Sequence, residues 1–459
     1  MQNRATLAET VRTSMERHRV PGVAVGLYDG GEEYVASFGV TSVENPLKVT
    51  PETLFQIGST TKTLTGTAIM ALVERGMLDL DEPVRIYLPD LRLSDEEVAR
   101  RVTTRHLLTH VGGWVGDVFE DTGGGDDALE KIVERVADAP QLTPLGEVFS
   151  YNNSAFYLAG RVVETLSGKT FEAAARELVL DPLGMDESFF FPAEVMTRRF
   201  AVGHLVKGGD PAVSRPWALP RNAAPAGGLA SSVKDQLRYA RFHLGDGKAH
   251  DGTMVLEEES LREMQRTQVA GEEDNEQGLP WFISEVGGLK FVAHGGGTNG
   301  QISAFWMVPE RDFAFTLLTN ADRGEFVCEE ASEWVMREFL GVEEADPEPM
   351  EMPETELEEY AGRYVVGGTG DSVELRIEGS ALRLEAAYGD HSAISETNPE
   401  PPPPARVGFY ARDRMVLVDG PYKGARAEFL RGPEGGICWL RMGRIYARQD
   451  DRRHVTNSR

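Results

Sequence analysis

Cysteine is nearly absent. Of 459 residues only Cys328 and Cys438 are cysteine, far apart and with no histidine clustered near either. That excludes a disulfide framework and a thiolate zinc site. It fits a reducing compartment, with both residues as small buried apolar groups. Basic charge is scarce as well. Lys and Arg total 47 against 74 Asp and Glu, a net charge of −27. Such a surface favours solubility and leaves no basic patch to neutralise phosphates, so no nucleic-acid partner is expected. Long apolar runs are missing too. No window of about 18 apolar residues occurs, so no membrane span is expected. The N-terminal MQNRATLAETVRTSMERHRV lacks the apolar stretch of a signal peptide. The simplest location is the cytoplasm.

What is present is patterned. Leu7, Val11 and Met15 recur at helical spacing. In GVAVGLYDGGEEYVASFGV (22–40) two β-rich runs flank Asp29-Gly30-Gly31, which predicts a hairpin. Three more apolar runs, KFVAH (290–294), QISAFWMV (301–308) and DFAFTLLTN (312–320), precede a helix over 325–340. Between these blocks the chain reads as helices and loops. The helix over 63–76 carries Leu64, Ala68, Leu72 and Val73 on one face, and another covers 154–168; both end at Gly. Strands from both ends of one unit imply an α+β fold, an antiparallel sheet flanked by helices with a helical subdomain beside it.

Residues 341–359 hold nine acidic residues, three prolines and no base. Such a stretch repels itself and resists packing. The predicted organisation is a domain over 1–341, an acidic linker over 342–358 and a second domain over 359–459. Seven or so short alternating segments in the last part suggest a small antiparallel barrel or sandwich.

Three elements carry chemistry. Ser59-Thr60-Thr61-Lys62 opens a helix, and residues three apart share a face, so hydroxyl and amine can meet. A desolvated amine has a lowered pKa and can take the Ser proton. Alone, the spacing reads as a Ser cap beside a surface Lys. Tyr151-Asn152-Asn153 precedes the helix over 154–168. Its phenol can shuttle a proton as phenolate if cations hold its pKa down, and Asn153 can donate to Lys62 or to a substrate carbonyl; alone it reads as a capping loop. His294-Gly295-Gly296-Gly297 joins two strands. Its glycines let backbone approach a ligand, and an N–H here can pair with that of Ser59 as an oxyanion hole. Alone it is a glycine-rich turn.

Together, in this order, the three resemble the serine β-lactamase and penicillin-binding-protein superfamily, with its Ser-x-x-Lys, Ser-Asp-Asn and Lys-Thr-Gly motifs. Tyr-x-Asn and His-x-Gly look like its class C-type branch, which includes D-aminopeptidases, carboxypeptidases, amide hydrolases and carboxylesterases. TTRHLLTHVGGW (103–114) and PAGGLASSVKDQLRYARFHL (225–244) fit the same pattern, and the likeness covers about residues 5–340. The C-terminal part resembles the lipocalin-like barrels appended to some peptidases of this branch. The resemblance implies that Ser59 is the acylated nucleophile and that Lys62 and Tyr151 are its proton-transfer partners. It implies that Asn153 orients substrate, with Gly296 beside it, and that the N–H groups of Ser59 and Gly297 hold the oxyanion. It implies that His294 stands in the place of the third-motif Lys.

Two departures follow. A histidine is mostly neutral at its ordinary pKa, and position 295 lacks the motif's hydroxyl. Both favour amide or ester substrates over β-lactams. The expected partner is a small-molecule or short-peptide substrate, with D-amino-acid peptides preferred. A short-chain carboxylesterase and a slowly deacylating penicillin-binding or sensory protein are the alternatives. No cofactor or metal is expected, and homo-oligomerisation is left open. His106 and His110 are i,i+4 on a predicted helix, but no Glu completes H-E-x-x-H. Trp114 and Trp217, in loops, are candidate pocket residues.

Overall fold

The computed structural model describes residues 2–249, 251–350, 352–379, 381–389, 396 and 400–449. Residues 450–459 of the predicted second domain lie outside these. The α+β architecture is as predicted. An antiparallel sheet is assembled from opposite ends of the first part of the chain: Gly22–Asp29 pairs with Phe313–Thr319, which pairs with Gln301–Val308. Gly22–Asp29 also forms the predicted hairpin with Glu32–Gly39, turning at Gly30 and Gly31, both at positive φ as a two-residue turn requires.

Gly22–Asp29 is buried on both faces, and its side chains alternate between two cores. Val23, Val25 and Leu27 meet Leu7, Val11 and Met15 of the first helix and Val327 and Ala331 of helix Gly324–Val335. Ala24 and Tyr28 face the helical region. That region is centred on helix Thr61–Glu74, and here the structure departs from the sequence pattern. The apolar stripe predicts one buried face, yet every residue from Thr61 to Leu72 is buried. The threonines make this tolerable by finding partners. Thr63 donates to Thr60 O, Thr65 donates to Pro225 O, and Thr67 shares a hydrogen bond with the Tyr239 hydroxyl.

The last part is a closed antiparallel barrel of eight strands, its first and last paired at Tyr364↔Arg448. The acidic stretch before it is not featureless. Met350 bridges Phe409, and Glu354–Tyr360 is a helix whose Leu357 and Tyr360 are buried in the barrel core. Two apolar residues at i,i+3 suffice to seat it, and Glu354 and Glu356 in its first turn complement the helix dipole. Cys328 is buried, whereas Cys438 is only partly so; both are free thiols. Among the described residues no helix is long and apolar enough to cross a membrane.

Leu357→Ala should destabilise the protein by about 2–5 kcal/mol in urea unfolding. Removing the exposed neighbour in Glu356→Ala should cost less than about 0.5 kcal/mol.

Candidate active site

The site is built from backbone contact upward. Strand Phe55–Gln56 leads into the turn Gly58–Thr60 and then into helix Thr61–Glu74. Gly58 sits at φ +52°, and a Cβ there would fall 2.6 Å from Gly297 N. A Cβ on Gly296 would fall 2.0 Å from Ile57 O and 2.7 Å from Ser59 N. Only glycine allows such an approach, and it lays strand Gly296–Thr298 against the turn that carries Ser59. Hydroxyls fasten the contact: Ser303 Oγ donates to Ile57 O (2.8 Å) and Thr60 Oγ1 to His294 O (3.2 Å).

Lys62 is fully buried. Its Nζ lies 3.1 Å from Ser59 Oγ, 2.7 Å from Asn153 Oδ1 and 2.6 Å from Ala226 O. Burial, and then the Arg444 guanidinium, hold its pKa well below that of an ordinary lysine, against the pull of Asp117. The two carbonyl oxygens can only accept, so each takes an N–H bond of the amine. In its neutral form the amine then has its lone pair left for the Ser59 hydroxyl.

Asn153 closes a ring of contacts. Its Nδ2 donates to Asp117 Oδ1 (2.6 Å), Asp117 pairs with Arg444, and Arg444 lies over the Tyr151 ring at 5.0 Å. The Tyr151 hydroxyl is buried beside Ser59 without reaching hydrogen-bond geometry, and the Lys62 amine is 4.9 Å from its ring. Burial raises the Tyr151 pKa, outweighing the lowering from Ser59 and Arg444. The group is therefore a phenol, not the phenolate the sequence suggested. Asn152 is the helix cap, accepting from Ala155 N, which leaves Asn153 to face Lys62.

The Tyr151 loop is held at three successive N–H groups. Ser150 N donates to His110 O and Tyr151 N to Gly443 O of the barrel. Asn152 N donates to His110 Nδ1, whose ring stacks on Tyr151 at 4.5 Å. Helix Thr104–Leu108 ends before His110, which sits at φ +59°. The two histidines thus serve separate structural bonds, His106 capping that helix.

A cleft of about 360 Å³ opens beside Ser59, with Asn153, Gly297 and Arg444 in its wall. Barrel residues Asp371, Tyr388 and Arg444 contribute to the same wall. His294 does not reach it. Packed against Phe282, it is 1% exposed, and burial above all lowers its pKa to about 3. It is a neutral floor beneath Tyr151 where the motif suggested a substrate contact. Neither tryptophan lines this cleft. Trp114 is buried and donates to Ser154 Oγ; Trp217 packs on Phe200 and donates to Ala201 O. Sequence reasoning missed Asp117, Ala226 and Arg444. Ala226 lies in the noted Pro-Ala-Gly-Gly-Leu turn, whereas nothing in the chain ties Arg444 to Ser59.

A model of the beta-lactamase family matches residues 7–334. The chain belongs to this family. Penicillin-binding protein 4 of Amycolatopsis lactamdurans is 36% identical over 357 residues, which are 76% of this chain and 93% of that protein. Among solved structures, SurE superposes with a TM-score of 0.77 at 26% identity, covering 98% of this chain and 99% of its own. SurE with D-Leu superposes at 0.74, also at 26% identity, covering 98% of this chain and all of that one. A class C beta lactamase from Rhodobacter sphaeroides gives 0.62 at 25% identity, covering 73% of this chain and 99% of that enzyme. The chain is therefore a serine hydrolase of the β-lactamase and penicillin-binding-protein type, extended here by a barrel whose Arg444 adjoins the buried lysine.

Arg444→Gln should raise the Lys62 pKa, because it removes a cation that disfavours the ammonium and leaves Asp117, which favours it, unpaired. Titration of 15N-labelled lysine by NMR should show the buried amine shifting to higher pH; an unchanged titration would refute the coupling.

Proposed function

We propose that Ser59 is the acylated nucleophile of a hydrolase for small amides and peptides bearing a free amino group, with D-configured residues preferred. The observation that carries the chemistry is the Lys62 amine, buried between two carbonyl acceptors with its remaining valence toward Ser59 Oγ. In this reading Lys62 takes the Ser59 proton as Oγ attacks the substrate carbonyl. The N–H groups of Ser59 and Gly297 receive the oxyanion. The Tyr151 phenol protonates the leaving nitrogen and recovers its proton from the Lys62 ammonium. Water then attacks the acyl-enzyme by the reverse proton path, and Asn153 holds the lysine throughout.

Substrate class rests on the cleft. Its wall carries the carboxylates Glu120, Asp322 and Asp371, and its guanidinium, Arg444, is paired with Asp117. This balance suits a substrate ammonium better than the carboxylate of a β-lactam, in line with a neutral, buried His294. The barrel's share of the wall limits the substrate to small molecules. The likeness to SurE, solved with D-Leu, supports a D-amino-acid substrate.

Ser59→Ala should abolish hydrolysis with an unchanged circular dichroism spectrum; retained hydrolysis of p-nitrophenyl acetate would sink the nucleophile assignment. D-aminoacyl p-nitroanilides should be cleaved better than their N-acetylated or L-configured forms. A kcat/KM several orders larger for simple p-nitrophenyl esters would instead make the protein an esterase. The rate should climb as Lys62 loses its proton, so the acid limb of the kcat/KM profile should lie well below pH ~10.4, the ordinary lysine value.

A further inference from the structure

Gly443 occupies a junction between the two parts of the chain. It lies at φ +67° in the turn between barrel strands Ile437–Met442 and Arg444–Gln449. Its carbonyl accepts the Tyr151 N–H at 2.9 Å, and the next residue is Arg444, over the Tyr151 ring. The same turn touches the residues before Tyr151: Ile445 N donates to Ser150 Oγ, and Arg441 Nη1 to Phe149 O. The Gly443 N–H, in turn, donates to Glu272 Oε2 at 2.7 Å.

Glu272 belongs to the hydrolase part, at the tip of the hairpin formed by Val269–Ala270 and Glu276–Gln277. Three consecutive acids at this tip reach the barrel. Glu273 accepts from the Tyr410 hydroxyl (2.7 Å), and Asp274 pairs with Arg414 (2.8 Å). The first of these contacts is half-buried and the second exposed. Glu272 differs, because its other oxygen, Oε1, is buried with no hydrogen-bond partner. Burying an unpartnered carboxylate oxygen costs stability. Burial, together with the nearby Glu428 and Glu273, pushes its pKa up to about 7 despite the Gly443 N–H and Arg441. Mere attachment of the barrel does not need this group, since Glu273, Asp274 and their partners already supply it.

We propose that Glu272 is a positioning residue for the hydrolytic reaction: it fixes the N–H of Gly443, and through the carbonyl of the same residue and the adjoining Arg444 it sets the Tyr151 phenol against Ser59. This rests on the proposed role of Tyr151. Gly443 transmits position because both peptide planes that meet at its Cα are held by the hydrolase part: the N–H of the first by Glu272 and the carbonyl of the second by Tyr151. A shift of about 1 Å at a proton donor can cost on the order of a hundredfold in rate.

The test uses the full chain and p-nitrophenyl acetate turnover, whose deacylation draws on Tyr151 by the reverse proton path; the rate at which a fluorophosphonate labels Ser59, with a fluoride that leaves without a proton, is the control. Glu272→Ala should slow turnover by about tenfold or more without raising KM for the ester, and should leave the labelling rate within about twofold of the parent. Glu272→Gln, which still accepts from the Gly443 N–H, should stay within about twofold of the parent, and Asp274→Ala should match it. In a Tyr151→Phe background Glu272→Ala should cost less than about twofold, because the two act as one unit. Should Glu272→Ala fail to fold, Glu272→Asp, one methylene too short to reach Gly443, carries the same expectation. Equal losses in the Tyr151→Phe background and in the parent, or an unaffected Glu272→Ala, would overturn the proposal. Absence of labelling in the parent would instead overturn the assignment of Ser59.

Discussion

The site turns on an amine that has been removed from water. A lysine ammonium is strongly hydrated, and enclosing it disfavours the charged form. Lys62 is enclosed completely, between the Asn153 side chain and the Ala226 carbonyl. The surrounding features serve that enclosure. The helix bearing Lys62 is buried on all sides, which its threonines permit by bonding to neighbouring backbone and hydroxyl groups. The glycine contacts at Gly58 and Gly296 close the sheet edge over the start of the same helix. Arg444 adds a positive charge that opposes protonation further.

The same burial acts in opposite directions on the three titratable groups around Ser59. It lowers Lys62 and His294 and raises Tyr151, so that all three favour their neutral forms. In the proposed mechanism Lys62 is the base and Tyr151 the acid beside the Ser59 hydroxyl, and both act from their neutral forms. The charged pair, Asp117 and Arg444, stands one contact further out. The barrel is consequently part of the site's electrostatics and of its backbone geometry, since Tyr151 N donates to Gly443 O.

Much of the fold was legible in the chain because it rests on local periodicity and turn chemistry. The Asp29-Gly30-Gly31 hairpin, the Leu7/Val11/Met15 stripe and the alternating C-terminal strands are short-range patterns, and each forms where the pattern places it. Patterns failed where burial was decided by partners elsewhere. The apolar stripe through Leu64, Ala68 and Leu72 gave no sign that Thr63, Thr65 and Thr67 would be buried as well, and Trp114 looked like a loop residue open to a pocket. Leu357 and Tyr360 were masked by the acids around them.

For the site, the sequence by itself determined which side chains share a local element: Ser59 with Lys62 on one turn, and Tyr151 with Asn153 ahead of a helix. The glycines at 58, 296 and 297 likewise belong to the chain alone. Tertiary structure decided how these are charged and what surrounds them. His294 turned away from the cleft, and His110, dismissed as a metal ligand, stacks on Tyr151. Asp117, Arg444 and Glu272 come from remote segments that share no spacing with Ser59. A pKa and an orientation are set by everything within a few ångströms, and no local stretch of sequence contains that information.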